Sequence, residues 1–268
     1  MDPDNAIIVD DRRDDAPASH RPEPQRGFIA EWTVTIILLL FGTTSLVQAF
    51  VIPTGSMEDT LLIGDHLLVN KFAFAPPPRW LARVPPYREI RRGDVVVFRF
   101  PASDEQSGAG DYFVKRVHGL PGDRIRIFHR QVFVNGQLEQ EPFVRHTYLD
   151  ELRPGDDFPP PPSEYLQGST MSWSEDMRKY VRDGELVVPP GQYFVMGDNR
   201  EQSWDSRFWG FVPRDLVSGR PLLIYWSFET ARDEYMQTSL ADRLSQVAQL
   251  LVHFFSRTRW QRTFRFVR

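Results

Sequence analysis

The sequence contains no cysteine. Disulfide bonds, thiolate nucleophiles and cysteine-ligated zinc are therefore excluded, and the absence fits a reducing or an oxidising compartment equally. Nor is there a large excess of one charge. Lys and Arg number 32 against 36 Asp and Glu, a formal net charge of −4, so the overall balance does not point to nucleic acid. The chain has no HExxH, Walker A, GxGxxG, GxSxG or SxxK motif. Its histidines, at positions 20, 66, 118, 129, 146 and 253, show no metal-ligand spacing, and no metal or organic cofactor is expected. Between residues 53 and 228 no sustained helical period appears, which argues against a helical bundle.

What remains is a chain of 268 residues, 13% aromatic, long enough for one large or two smaller β-rich cores. Its charge is uneven: residues 1–31 carry eight acidic against four basic side chains, and residues 256–268 carry five arginines and no acid. Residues 32–52 (WTVTIILLLFGTTSLVQAFVI) pass without a charge. As one helix they would span a hydrocarbon core of about 30 Å, and Trp32 stands where an interfacial aromatic belongs. The sequence thus predicts a polar cytoplasmic tail over residues 1–30 and a transmembrane helix over 31–52. Arg21 and Arg26 precede the apolar run and Lys71 is the first basic residue after it. That bias favours the N-terminus inside and the body outside.

Beyond the apolar run the pattern changes to short strands broken by turns. Candidates are Asp94–Phe100, Tyr112–His118, Arg124–Phe128, Gln131–Val134, Glu185–Val188, Gln192–Met196 and Leu222–Phe228. Asn135-Gly136 is a hairpin-type turn. Two Pro-rich stretches, 75–92 and 141–184, read as insertions. This divides the body into a first core part (53–140), an inserted loop-rich subdomain (141–184), a second core part (185–228) and a C-terminal region (229–268). Within the last, residues 239–255 have near-helical apolar spacing, and the tail from Trp260 to Arg268 alternates aromatics with arginines. That tail suits anionic headgroups or docking on the body.

Three segments carry candidate chemistry. Pro53-Thr54-Gly55-Ser56-Met57 sets a serine just after the apolar run; alone it reads as a turn. Tyr112-Phe113-Val114-Lys115-Arg116-Val117 reads as a strand, so Phe113, Lys115 and Val117 share a face. A lysine between apolar neighbours is partly desolvated, which lowers its pKa, although an edge lysine reaching for water is the commoner case. To act as a base near neutrality it needs a drop of roughly 3 units from about 10.4. Gly197–Gly210 packs turn formers, Ser203, Asp205 and Arg207 into one stretch, with Asp205 and Arg207 placed to pair.

Taken together, these segments resemble the type I signal peptidase family, from the apolar run to about residue 228. The stretch beginning at Pro53 (PTGSMEDTLLIGDHLLVNKF) is similar to the family's nucleophile box, and Gly93–Pro101 (GDVVVFRFP) to the strand box after it. Tyr112–Ile125 (YFVKRVHGLPGDRI) is similar to the general-base box and Gly197–Pro213 (GDNREQSWDSRFWGFVP) to the last box. Two positions depart from the pattern: Asp59 stands where the family usually has proline, and Ala75 where it often has glycine.

The resemblance implies a mainly β, antiparallel-sheet catalytic domain with Ser56 as nucleophile and Lys115 as general base. It implies an oxyanion hole from the Ser56 N–H and the Thr54 hydroxyl, and Ser203 orienting the lysine. Asp205 and Arg207 become a supporting pair, and Met57 and Leu61 shape the substrate cleft. The implied partners are the signal peptides of exported preproteins, cut after small residues at −1 and −3, and the lipid bilayer at the outer face of the cytoplasmic membrane. Nucleic acid is not implied, and the oligomeric state is left open. Rival readings are a self-cleaving repressor-type Ser–Lys protease, a catalytically inactive membrane-tethered domain that binds export substrates, and a Ser–His hydrolase using His66 or His118.

Overall fold

The computed structural model describes residues 27–42, 47–74, 88–101, 111–148, 152–161, 163–164, 166–230 and 252–267. The chain divides into two compact units, Met1–Leu40 and Phe41–Arg268. In the first, α1 (Phe28–Phe41) is a 14-residue helix with no buried residue. The expectations for residues 1–26, for most of 75–92, and for 239–251 lie outside the described residues.

The expected helix over 31–52 does not form as one element. Fourteen residues rise about 21 Å, short of a hydrocarbon core, and no helix among the described residues is long and apolar enough to cross a membrane. The end of the apolar run instead forms strand β1 (Val47–Val51). The reason lies in tertiary pairing. Val47-Gln48-Ala49-Phe50-Val51 is β-branched at both ends with an aromatic between, and β2 (Asp65–Asn70) offers it a full antiparallel partner from Val47↔Asn70 to Val51↔His66.

The remaining strands are β3 (Val95–Arg99), β4 (Tyr112–Gly119), β5 (Arg124–Phe128), β6 (Gln131–Val134), β7 (Gln137–Leu138), β8 (Val181–Arg182) and β9 (Glu185–Val187), followed by β10 (Gln192–Met196), β11 (Val212–Pro213), β12 (Val217–Ser227) and β13 (Arg265–Phe266). They build two antiparallel sheets. The larger runs β1-β2-β12-β3-β4-β10-β11, with β13 added to β12; the smaller runs β7-β6-β5-β9-β8. The long β12 joins the halves of the large sheet, meeting β3 near its start and β2 along the rest. Gly219 makes that crossing possible, since a Cβ there would lie 2.4 Å from the Asn70 carbonyl oxygen. The mainly β expectation holds. The Asn135-Gly136 turn has both residues at positive φ, 54° and 76°, as a two-residue hairpin requires. The smaller sheet takes strands from both sides of residue 141, since β5 pairs with β9 and β9 with β8.

Burial explains why β3 and β10 read as unbroken apolar runs. Val95 and Val97 enter one core cluster with Met57, Leu61, Leu67 and Ile224. Val96 and Phe98 enter a second with Val117, Tyr193, Val195 and Trp209. In β10, Phe194 and Met196 turn to a third cluster, formed with the smaller sheet. Strands covered on both faces need apolar side chains at every position, and each such side chain contributes about 1.5–3 kcal/mol.

Within the second unit, the C-terminal residues fold back onto the large sheet. Residues 252–257 are helical, β13 pairs with β12, and Val267 is buried in the same cluster as Met57 and Leu61. Arg259 and Arg262 turn inward, whereas Trp260, Phe264 and Phe266 remain exposed.

Candidate active site

A turn between β1 and β2 carries Ser56. Its base is pinned where the Ile52 N–H donates to Asp65 O at 2.9 Å and the Gly64 N–H to Ile52 O at 2.9 Å. Met57 and Leu61 fill the core beneath it. From the neighbouring loop, the Asn199 N–H donates to Ser56 O at 3.1 Å and the Asn199 side chain donates to Gly55 O at 3.2 Å. The nucleophile candidate is therefore fixed from below by packing and from the side by hydrogen bonds.

Lys115 comes from β4, 59 positions along the chain, and its ammonium nitrogen lies 2.6 Å from Ser56 Oγ. Both are buried, at 4% and 8% exposure. Burial pushes the Lys115 amine down to about 8; Asp205 and Asp198 pull it upward, and Arg207 adds to the depression. Such an amine is partly neutral near pH 8, and it already contacts the hydroxyl whose proton it could take.

Asp205 and Arg207 form a buried pair behind the lysine. Arg207 Nε donates to Asp205 Oδ1 at 2.8 Å and Nη2 to Oδ2 at 2.9 Å. Burial opposes ionisation of Asp205, but the Arg207 charge and hydrogen bonds overcome it and hold the carboxyl below its usual range. Asp205 also caps the short helix α2 (Ser206–Trp209) and accepts the Gly197 N–H at 3.0 Å. This pair shapes the loop as well as the field.

Ser203 is buried beside these groups and favours the ionised form of Asp205. Its hydroxyl makes no hydrogen bond of ordinary geometry, to Lys115 or to any other group. Thr54 is exposed at the cleft mouth, and among the described residues neither its hydroxyl nor the Ser56 N–H is engaged. Met57 lines the cleft, whereas Leu61 is wholly buried in the core and absent from the lining.

The cleft has a volume of about 550 Å³ and runs between residues 50–57 and 111–115, with Gln202 and Trp204 beside them. Phe50 of β1 and Tyr112 of β4 meet across it edge to face at 4.9 Å. Residues Tyr112–Lys115 pair with β3 on one side, and β10 takes up β4 only from Arg116 onward. Among the described residues, their other edge is therefore unpaired and faces the cleft. The sequence reading gave β1 no part in this wall. The β-branched ends and the aromatic of Val47–Val51 were the available signal, masked by the apolar run before it.

Three more residues lock the site. Arg116 grips Asp198 at 2.8 and 2.7 Å in a pair with almost no exposure, and Thr60 donates to the same carboxylate at 2.5 Å. The strand of Lys115, the turn of Ser56 and the 197–207 loop thus meet at Asp198. Gly197 permits the approach: a Cβ there would lie 2.3 Å from Ser203 Oγ and 2.4 Å from Ser56 O.

Neither histidine of the Ser–His reading bonds to Ser56. His66 packs on Trp226 at 4.6 Å. His118 Nδ1 lies 2.9 Å from Glu139 and 3.4 Å from Glu141, the one potential metal-ligand cluster among the described residues. Arg200 also donates to Glu141.

The family described as signal peptidase, peptidase S26, matches residues 25–226. The chain is similar to a signal peptidase I of Aquifex aeolicus, 33% identical over 235 residues and covering 74% of this chain and 83% of that protein. It is similar also to a signal peptidase I of Bacillus caldolyticus, 32% identical over 209 residues, with 78% and 96% covered. A solved signal peptidase I from Enterococcus faecalis is similar over 50% of this chain and 97% of its own, at 26% identity and a TM-score of 0.32.

Proposed function

The chain belongs to the peptidase S26 family of signal peptidases, and from that premise we propose that it removes signal peptides from exported proteins by a Ser56–Lys115 dyad. The observation that carries the reading is the 2.6 Å contact between the buried amine of Lys115 and the Ser56 hydroxyl. Neutral Lys115 takes the hydroxyl proton as Ser56 Oγ attacks the scissile carbonyl, and the tetrahedral oxyanion accepts hydrogen bonds from the Ser56 N–H and the Thr54 hydroxyl. Lys115 then hands its proton to the leaving amine and takes another from the water that hydrolyses the acyl-enzyme. Asp205 and Arg207 hold the lysine's surroundings, and Ser203, buried beside them, orients the amine.

The substrate lies extended along the unpaired edge of β4, where main-chain hydrogen bonds supply affinity and Met57 helps form the floor at which small residues at −1 and −3 fit. The apolar N-terminal segment tethers the chain to the cytoplasmic membrane, with the catalytic body on the outer face. Support comes from α1, which carries no charge after Glu31 and whose Thr33 and Thr35 hydroxyls bond back to Ile29 O and Glu31 O. Tethering raises the effective concentration of a substrate that is itself membrane-bound.

The test is cleavage of a peptide bearing Ala-X-Ala before the cut, with the new termini read by mass spectrometry. The full chain is expected to cut after the second alanine and Ser56→Ala to leave the peptide whole. A Ser56→Ala chain that cuts at the same bond would end the dyad reading, and a wild-type chain that binds without cutting would favour the inactive binding domain.

The lysine also sets the pH dependence. With its value at about 8, the neutral base is about a tenth of the population at pH 7 and nine-tenths at pH 9. The value of kcat/KM should therefore rise about tenfold between those limits. A flat profile across pH 7–9 would mean that the amine does not act as the base.

A further inference from the structure

The C-terminal tail reaches the nucleophile turn from below. Arg262 Nη2 donates to Thr60 O at 3.0 Å and to Asp65 Oδ2 at 2.6 Å. Arg259 Nη1 donates to Ile63 O at 2.9 Å. Asp65 is fully buried and also accepts the Leu62 N–H at 2.9 Å and the Ser227 hydroxyl at 2.6 Å. The whole descending arm of the turn, from Thr60 to Asp65, is thus held by side chains that arrive about two hundred positions later. Val267 completes the contact by packing in the cluster that contains Met57 and Leu61.

From that arm the path to the reacting oxygen is short. Thr60 donates to Asp198, and the next residue, Asn199, donates its N–H to the Ser56 carbonyl. Neither Arg262 nor Arg259 lines the substrate cleft.

We propose that the C-terminal tail is a clamp on the nucleophile turn and that Arg262 is a positioning residue for Ser56. The inference rests on the reading of Ser56 as nucleophile. The guanidinium serves Thr60 O and Asp65 together, with Nη2 donating to both and Nε turned to Asp65 Oδ1 at 3.4 Å, a fixed planar fork that an ammonium on a flexible stem does not reproduce. Loosening the clamp lets the turn sample positions in which Ser56 Oγ leaves Lys115, while the edge of β4 that binds substrate is untouched. The loss therefore falls on kcat and spares KM.

The experiment compares the full chain with Arg262→Ala and Arg262→Lys on the Ala-X-Ala peptide, at a temperature where circular dichroism shows each chain folded. Arg262→Ala is expected to lower kcat about tenfold with KM changed less than twofold. Millimolar guanidinium, but not equal sodium chloride, should restore part of the loss. Arg262→Lys should retain the fold and lose about threefold in kcat. Should Arg262→Ala fail to fold, the lysine variant alone decides. An unchanged kcat in whichever variants fold, even with a lowered Tm, would overturn the proposal and leave the tail a stabilising element only. A Ser56→Ala control separates the two readings: residual turnover there refutes the nucleophile assignment, whereas a dead control beside an unaffected Arg262→Lys refutes the clamp alone.

Discussion

Lys115→Met is expected to abolish turnover and at the same time to stabilise the folded chain at neutral pH. Both effects have one source. Lys115 is 4% exposed, and burial pushes its amine from 10.5 to about 8. A drop of that size means that folding at pH 7 carries a penalty of about 3 kcal/mol for burying the ammonium. The sign is fixed by the proton count. Below pH 8 both folded and unfolded chains hold the proton, and the penalty is complete. Between about 8 and 10.5 the unfolded chain holds it and the folded chain does not, so stability rises with pH; above 10.5 the penalty is gone. Methionine has nearly the same shape and no charge, so it escapes the penalty wherever that penalty exists. The Lys115→Met chain should melt several degrees above the wild type at pH 7, and the difference should shrink toward pH 10.5. Turnover should fall on the order of 10⁴-fold, as when a unit of nucleophile and base is broken. A Lys115→Met chain that is less stable at pH 7 than the wild type would mean that Asp205 and Asp198 hold the ammonium more tightly than burial disfavours it. One that retains near-normal turnover would remove the base from the mechanism.

Much of this site can be read from the sequence because its chemistry sits in strands whose alternation is local. The face shared by Phe113, Lys115 and Val117 follows from period two alone, and the structure buries Val117 and Lys115 while Phe113 packs in the same cluster. The pairing of Lys115 with Ser56 does not follow from pattern. It depends on β3 carrying Val96 opposite Lys115 and on the Asp198 hub joining three distant segments. The resemblance pointed to the two residues; the packing gives the distance. The apolar run misled for a physical reason. A strand with a pairing partner and a membrane helix both use β-branched and aromatic residues, so composition over 47–51 fits either, and only the partner strand β2 decides. Leu61 enters the expected cleft only through the resemblance of its box; it shares a buried cluster with Met57, and of the two only Met57 also lines the cleft. For the C-terminal arginines the sequence leaves headgroup contact and docking on the body both open, because it does not reveal that Asp65 and the Thr60 carbonyl meet Arg262.

Gly197→Ala should be as damaging to catalysis as a change in the dyad, although it removes no reacting group. A Cβ at this position would stand 2.3 Å from Ser203 Oγ, 2.6 Å from Ser203 Cβ and 2.4 Å from the Ser56 carbonyl oxygen. Those separations lie well inside van der Waals contact. Rotation can carry the Ser203 hydroxyl aside, though not its Cβ, because among the described residues that hydroxyl is bound to nothing in ordinary geometry. The Ser56 carbonyl cannot turn aside, because it is main chain and is already held by the Asn199 N–H at 3.1 Å. The added methyl must therefore push the nucleophile's own peptide, and with it the Oγ that meets Lys115 at 2.6 Å. A displacement near 1 Å at a reacting atom lowers rates about 10²-fold, and overpacking of this kind costs about 1–3 kcal/mol of stability. The double variant Gly197→Ala, Ser203→Gly separates the two effects. Deleting the serine side chain removes two of the three close contacts, so most of the stability should return. The contact with Ser56 O remains, so kcat should stay low. Recovery of both stability and kcat in the double variant would show that the methyl acts through Ser203, and full activity in Gly197→Ala alone would show that the close approach does not set the nucleophile's position.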